Sequence, residues 1–148
     1  MAGPGTNVGG PLLVGSTAAN SGSTLLNQTV TLVASTTNAV SATMTVPPNT
    51  QIVDFTIDTT TAWNSATSDT LTIGTVAGGT QYVGAIDTKA AASRLRPTYT
   101  GPQLLAMSNT AGNTAVVVTV TPVGSAAAGN TIVTMFYDMN VTQLDSNF

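Results

Sequence analysis

From Ala39 to Val46 the sequence runs AVSATMTV, and every second residue is apolar. Val40, Ala42, Met44 and Val46 fall on one side of an extended chain, and Ser41, Thr43 and Thr45 on the other. A helix would scatter those apolar groups around its axis, whereas a half-buried strand gathers them on one face. The alternation recurs along the chain, so it constrains the fold more than any single motif does.

LLNQTVTLVA (Leu25–Ala34) is the first such segment. IVDFTID directs Val53, Phe55 and Ile57 inward, with Asp54, Thr56 and Asp58 outward. TLTIGTV and TQYVGAI, joined by an AGG turn, form a hairpin. QLLAMSN, TAVVVTVT and TIVTMFYDMNV follow, the last with Val133, Met135, Tyr137, Met139 and Val141 on one face. Breakers separate these runs: PPN after Val46, the loop TTTAWNSATSD, the Pro97–Gly101–Pro102 cluster and the turn GSAAAGN. DTKAAASRL is the one helix candidate, capped by Asp87 or Thr88. Short strands spaced by turns, with no helices between them, predict an all-β chain. The expected fold is an antiparallel β-sandwich, jelly-roll-like, over residues 25–148. Residues 1–24 form an extended N-terminal arm rich in Gly, Ser and Asn. Its one apolar island, Leu12, Leu13 and Val14, has the character of a docking segment.

Charge limits function. Charged residues make up 6% of the 148, against roughly a quarter in ordinary soluble proteins. None lies between Met1 and Val53 or between Pro97 and Tyr137. The hairpin from Thr70 to Ile86 is also charge-free, which leaves it open to strand addition. A surface so poor in charge fits either a small protein solubilised by hydroxyls or one whose faces meet partners in an assembly; the second reading is preferred. Three basic residues and a net charge of −3 make no footprint for nucleic acid. No apolar run approaches a membrane span. The N-terminus lacks the basic start of a signal peptide, so synthesis in a cytoplasm and use without cleavage are expected.

Catalysis is poorly supported. His, Cys and Glu are absent, which removes the usual triads and His- or Cys-based metal sites. Asp54 and Asp58 lie four apart on one strand and point the same way, but solvent exposure explains them more simply than acid–base work. No loop alternates Asp and Asn as calcium loops do, and GTVAGG lacks the Lys and the helix of a phosphate loop. No cofactor is expected. Trp63 fits a plug at one end of the sandwich or an anchor for a sugar or protein; the plug is favoured. Arg94, Arg96 and Tyr99 fit a solvated turn or a subunit-interface anchor.

The stretch from Val46 to Ala92 resembles virion structural proteins of tailed bacteriophages. The parts that carry the likeness are the turn Pro48–Asn49–Thr50, the strand Ile52–Asp58, and Asp69–Thr75 (DTLTIGT). The Gly78–Gly79 turn and the strand Tyr82–Asp87 complete it, and TIVTMFYDMNV is similar to the closing strand of those proteins. The resemblance implies a non-enzymatic decoration or cement protein on the outer capsid surface, made in the host cytoplasm. Its partners would be the major capsid protein and its own copies, as a homotrimer. On that reading Leu12, Leu13 and Val14 contact the capsid. Fibre, spike and tail proteins that bind host glycan use similar segments and form the alternative.

Overall fold

The computed structural model describes residues 24–36, 38–89, 92–109 and 113–139. They form nine strands and one short helix. The strands are β1 (Thr24–Val33), β2 (Val40–Val46), β3 (Thr50–Thr61), β4 (Ser68–Gly74), β5 (Val83–Asp87), β6 (Ser93–Leu95), β7 (Ser108–Asn109), β8 (Thr114–Val123) and β9 (Asn130–Met139). Helix α1 spans Gly101–Ala106.

Four antiparallel pairs define the topology: β1 with β9, β2 with β8, β3 with β6, and β4 with β5. They amount to one long ribbon, β1 to β4 running out and β5 to β9 running back. Rolled up, the ribbon gains the further pairs β3·β9 and β4·β8 and becomes two sheets, β1-β9-β3-β6 and β2-β8-β4-β5. This is the strand order of a jelly roll, so the fold expected from the alternation is the fold observed. β7 adds two residues beside Thr50 and Gln51 of β3.

The alternation fills the space between the sheets. Phe55 and Ile57 of β3, Val133 and Met135 of β9, and Leu32 of β1 face Met44 and Val46 of β2, Leu71 and Ile73 of β4, and Val116, Val118 and Val120 of β8, all buried. Each such side chain contributes roughly 1.5–3 kcal/mol when taken out of water. Gln28 of β1 is a polar residue on the inward side, and it has a specific task. Its side-chain amide donates to the Thr45 carbonyl at 2.7 Å and accepts from the Thr45 N–H at 3.2 Å. A side chain thus occupies part of the β2 edge where a foreign strand would pair.

Plugs close the two ends. Met107, just past α1, is buried, and its carbonyl accepts from the Ile52 N–H at 2.9 Å. At the other end stands Trp63, 1% exposed, in the loop between β3 and β4.

Three local expectations fail, each for a visible reason. Val53 is not inward: a bulge between Ile52 and Asp54 shifts the register, so Ile52 is buried and Val53 is exposed. The QLLAMSN segment is mostly helix, not strand. Thr100 precedes α1, its N–H donating to Gln103 Oε1 at 2.9 Å, and Pro102 sits in the first turn, where its missing N–H costs nothing. DTKAAASRL is not a helix over its described residues. Asp87 ends β5 and accepts from the Lys89 N–H at 2.8 Å, and Ser93–Leu95 is β6, which pairs with β3. The hairpin is present, but β5 starts only at Val83, and residues 75–82 make a longer turn than AGG alone.

Candidate interaction surface

The jelly roll turns one face of each sheet outward. On the larger sheet the strand registers set three rows across β1, β9 and β3: Asn27, Phe136, Asp54; Thr29, Thr134, Thr56; and Thr31, Ile132, Asp58. Threonine holds four of these nine positions, and Thr29 and Thr134 bond to each other at 3.0 Å. The smaller sheet has the same character. Ser41, Thr119 and Thr72 form one of its outer rows, with Ser41 and Thr119 bonded at 2.9 Å.

The hairpin turn lies against this second face. Gly79 N–H donates to the Val76 carbonyl at 2.9 Å, closing a turn in which Gly78 adopts φ 74°. That value at the third position demands glycine. Gly78 N–H in turn donates to Thr119 Oγ1 at 3.0 Å, which is why Thr119 is buried on an outward face.

In the three rows of the larger face the charges gather at the β3–β6 side and cancel; Asp138 of β9 stands one row further on, opposite Leu25 and Gln51. Arg94 stands opposite Asp58 in the register and binds both its oxygens, with Nη2 to Oδ2 at 3.0 Å. Arg96 Nε lies 3.2 Å from Asp54 Oδ2. Both arginines are mostly exposed, so these pairs add little stability. What they do is neutralise two carboxylates on a face that otherwise has no charge in the three rows. Asp54 and Asp58 do point the same way, but each is held by its own arginine rather than by the other.

Tyr99 acts differently. Its hydroxyl donates to Asp54 Oδ1 at 2.7 Å and accepts from the Phe55 N–H at 3.0 Å. The bulge at Val53 exposes that N–H, and Tyr99 together with Asp54 satisfies it. Burial, followed by the bond to Asp54, raises the Tyr99 hydroxyl above its ordinary 10.0; burial alone raises Tyr82. The folded protein keeps these phenolic protons at pH values where the unfolded chain loses them. Stability is therefore full below about pH 10 and falls as pH rises beyond it. Tyr99→Phe should cost about 1–2 kcal/mol at neutral pH and make the alkaline decline shallower. Denaturant unfolding at pH 7 and pH 10.5 checks both, and an unchanged pH dependence would remove Tyr99 from the account.

The structure thus brings Arg94, Arg96 and Tyr99 together at one sheet edge, each bonded to a β3 aspartate. Leu12, Leu13 and Val14 lie outside the described residues. Trp63 fills the plug role and cannot serve as a surface anchor while folded. Of the other described aromatics, Phe55, Tyr82 and Tyr137 are buried, and Phe136 and Tyr99 are half-buried.

Two features escaped the sequence reading. Leu104 and Leu105 of α1 are 55% and 78% exposed, an apolar knob hidden in a segment read as strand. A groove runs beside them, between β5 and residues 95–103. Its far wall follows from the β6 pairing, which a helix reading of residues 87–95 conceals.

No family model matches the sequence, and no curated protein matches it. Among solved structures, the fold is similar to a chain in the capsid of Ralstonia phage GP4, with TM-score 0.59 and 18% identity over 81% of this chain and 86% of that one. It is also similar to a chain in the capsid asymmetric unit of cyanophage Pam1, with TM-score 0.55 and 24% identity over 80% of this chain and 85% of that one. Fold and surface define a jelly-roll β-sandwich whose outward faces are rich in hydroxyls and poor in charge.

Proposed function

We propose that this chain is a structural protein of a phage virion, one that decorates the capsid and cements it by bridging neighbouring subunits. The observation that carries the reading is the jelly roll it shares, over four-fifths of its length, with chains from two phage capsids. The surface supports it. Faces of threonine, serine and asparagine with neutralised carboxylates suit many close contacts with a shell and poorly suit a free monomer. Binding comes from buried area and backbone pairing, not from ion pairs. No catalytic role is invoked, because the outward aspartates of β3 are paired with arginines. The arm is taken to lie extended on the assembled particle through Leu12, Leu13 and Val14, and a homotrimer is the expected state.

Purified virions test the reading: quantitative mass spectrometry should find the chain in a fixed ratio to the shell protein. Its absence from washed particles, with the chain free in the lysate, would refute a virion role. The mode of attachment has its own check. Between 0.1 and 1 M salt the Debye length falls from about 10 Å to about 3 Å. Particle binding should change less than about threefold over that range, because screening acts on charges and few are present. Release of most of the protein at 1 M salt would point to ion-pair attachment instead.

A further inference from the structure

The groove beside α1 has a volume of about 350 Å³ and lies between the free edges of the two sheets. One wall is β5, with Val83, Gly84, Ala85 and Ile86; the other includes Leu95, Arg96 and Pro97. Among the described residues β5 pairs only with β4, and β6 only with β3. Alternate backbone groups of β5 therefore face the groove without a strand partner, the arrangement that accepts an added strand. Small residues leave room for one: a Cβ at Gly84 would meet only Gln103 Nε2, at 3.8 Å. The one charged lining residue, Arg96, is engaged by Asp54. The site therefore asks for an extended, uncharged segment with a few bulky apolar side chains.

We propose that the groove receives the Gly10–Gly15 segment, GPLLVG, of a neighbouring copy as an added strand. The chain carries 23 residues ahead of β1, none charged, and Leu12–Val14 is the only run of three bulky apolar residues in them. Pro11 lacks a backbone donor, which suits the first residue of an edge strand.

The donor is a second copy because of where the arm begins. Thr24 starts β1, at the edge of the larger sheet opposite β6. Ten steps from Val14 to Thr24 reach at most about 33–36 Å. A route over a chain's own sandwich runs diagonally across three strand spacings and about five residues of strand length, about 22 Å, and then crosses one sheet separation, roughly 32 Å in all. That leaves no slack for rounding the edge, whereas a neighbour's arm has no such restriction. The exchange rests on the virion reading only in holding copies side by side; it names the seat of the arm as a neighbour rather than the shell.

The chain has no cysteine, so single cysteines report cleanly. Leu13→Cys and Ala85→Cys proteins are purified separately, mixed at high concentration without particles, and treated with a short bismaleimide. A product of dimer mass that neither protein gives alone is expected. Adding Gly84→Val to the Ala85→Cys chain, to fill the groove, should lower its yield about tenfold, the worth of one lost apolar anchor. Leu12→Asp in the Leu13→Cys chain alters only the arm and should give the same loss, even if the groove variant folds poorly. No product in the mixture overturns the proposal. A third protein carries both Leu13→Cys and Ala85→Cys; cross-linking that occurs only within it, at monomer mass, also overturns the proposal, since the arm would then lie on its own groove. Because no particle is involved, this result and the composition of virions can fail separately.

Discussion

Replacing Trp63 with Ala should destabilise the β-domain by about 3–5 kcal/mol, the cost of emptying the site of a large buried aromatic. For a domain of this size the melting temperature should fall by about 10 °C or more. The indole is held on several sides. Its Nε1–H donates to Thr131 Oγ1 at 2.9 Å, and its backbone N–H donates to the Thr88 carbonyl at 3.2 Å. Gly129 lies against the ring so closely that a Cβ there would come within 2.4 Å of Cδ2. The loops on either side are tied as well: Asn64 N–H donates to the Ala128 carbonyl, and Asn64 Oδ1 accepts from the Ala128 N–H. Little can move in to fill the gap, which places the cost in the upper part of the range. Trp63→Phe keeps most of the volume and loses the indole bond, so about 1–2 kcal/mol is expected. Gly129→Ala probes the same contact from the other side. It should cost more in the wild type than beside Trp63→Ala, where the clash with the ring is gone and only the strain of a side chain at φ 157° remains. Urea unfolding of the wild type and the four variants measures these effects. A Trp63→Ala loss below about 1 kcal/mol would mean the end of the sandwich is not built around the indole.

The parts of the fold that were legible in the sequence are those where side-chain period and burial coincide. Val40 to Val46 and Val133 to Met139 alternate without interruption, and both are strands with the expected face inward. The pattern misled where backbone register changed without a marker. Nothing in IVDFTID distinguishes Val53 from Ile52, because a bulge is one extra residue of any type. Short segments failed for another reason. KAAAS favours a helix by propensity, and QLLAMSN contains an apolar pair that suits either state, yet tertiary pairing of β6 and the Thr100–Pro102 start decided both. The surface was legible as composition and illegible as geometry. That carboxylates would lie on an outer face could be read from β3. That Arg94 and Arg96 would neutralise them could not, since it depends on β6 folding back from 36 residues away. The groove is further still from the sequence, being a space between two sheet edges that meet only after the ribbon rolls up.

Deleting residues 2–20 should leave the β-domain's melting temperature within about 2 °C of wild type, an effect well under 1 kcal/mol. The same deletion should weaken binding to the particle by about a hundredfold or more. The two effects separate because the arm and the domain are stabilised by different things. The sandwich core draws on β1 to β9, and every residue in its cluster lies between Leu26 and Met139. Three apolar side chains in the arm are worth on the order of 4–6 kcal/mol when buried. Ordering the residues around them costs a comparable amount, so a single arm binds weakly. If arms are exchanged as proposed, linked copies bind as one body, and each further attachment gains from effective concentration rather than from new contacts. Attachment should therefore depend steeply on how many arms remain. In mixtures of full-length and truncated protein, bound protein should fall faster than in proportion to the truncated fraction. A truncated protein that decorates particles as tightly as the full chain would exclude the arm from attachment and leave the β-domain to carry it alone.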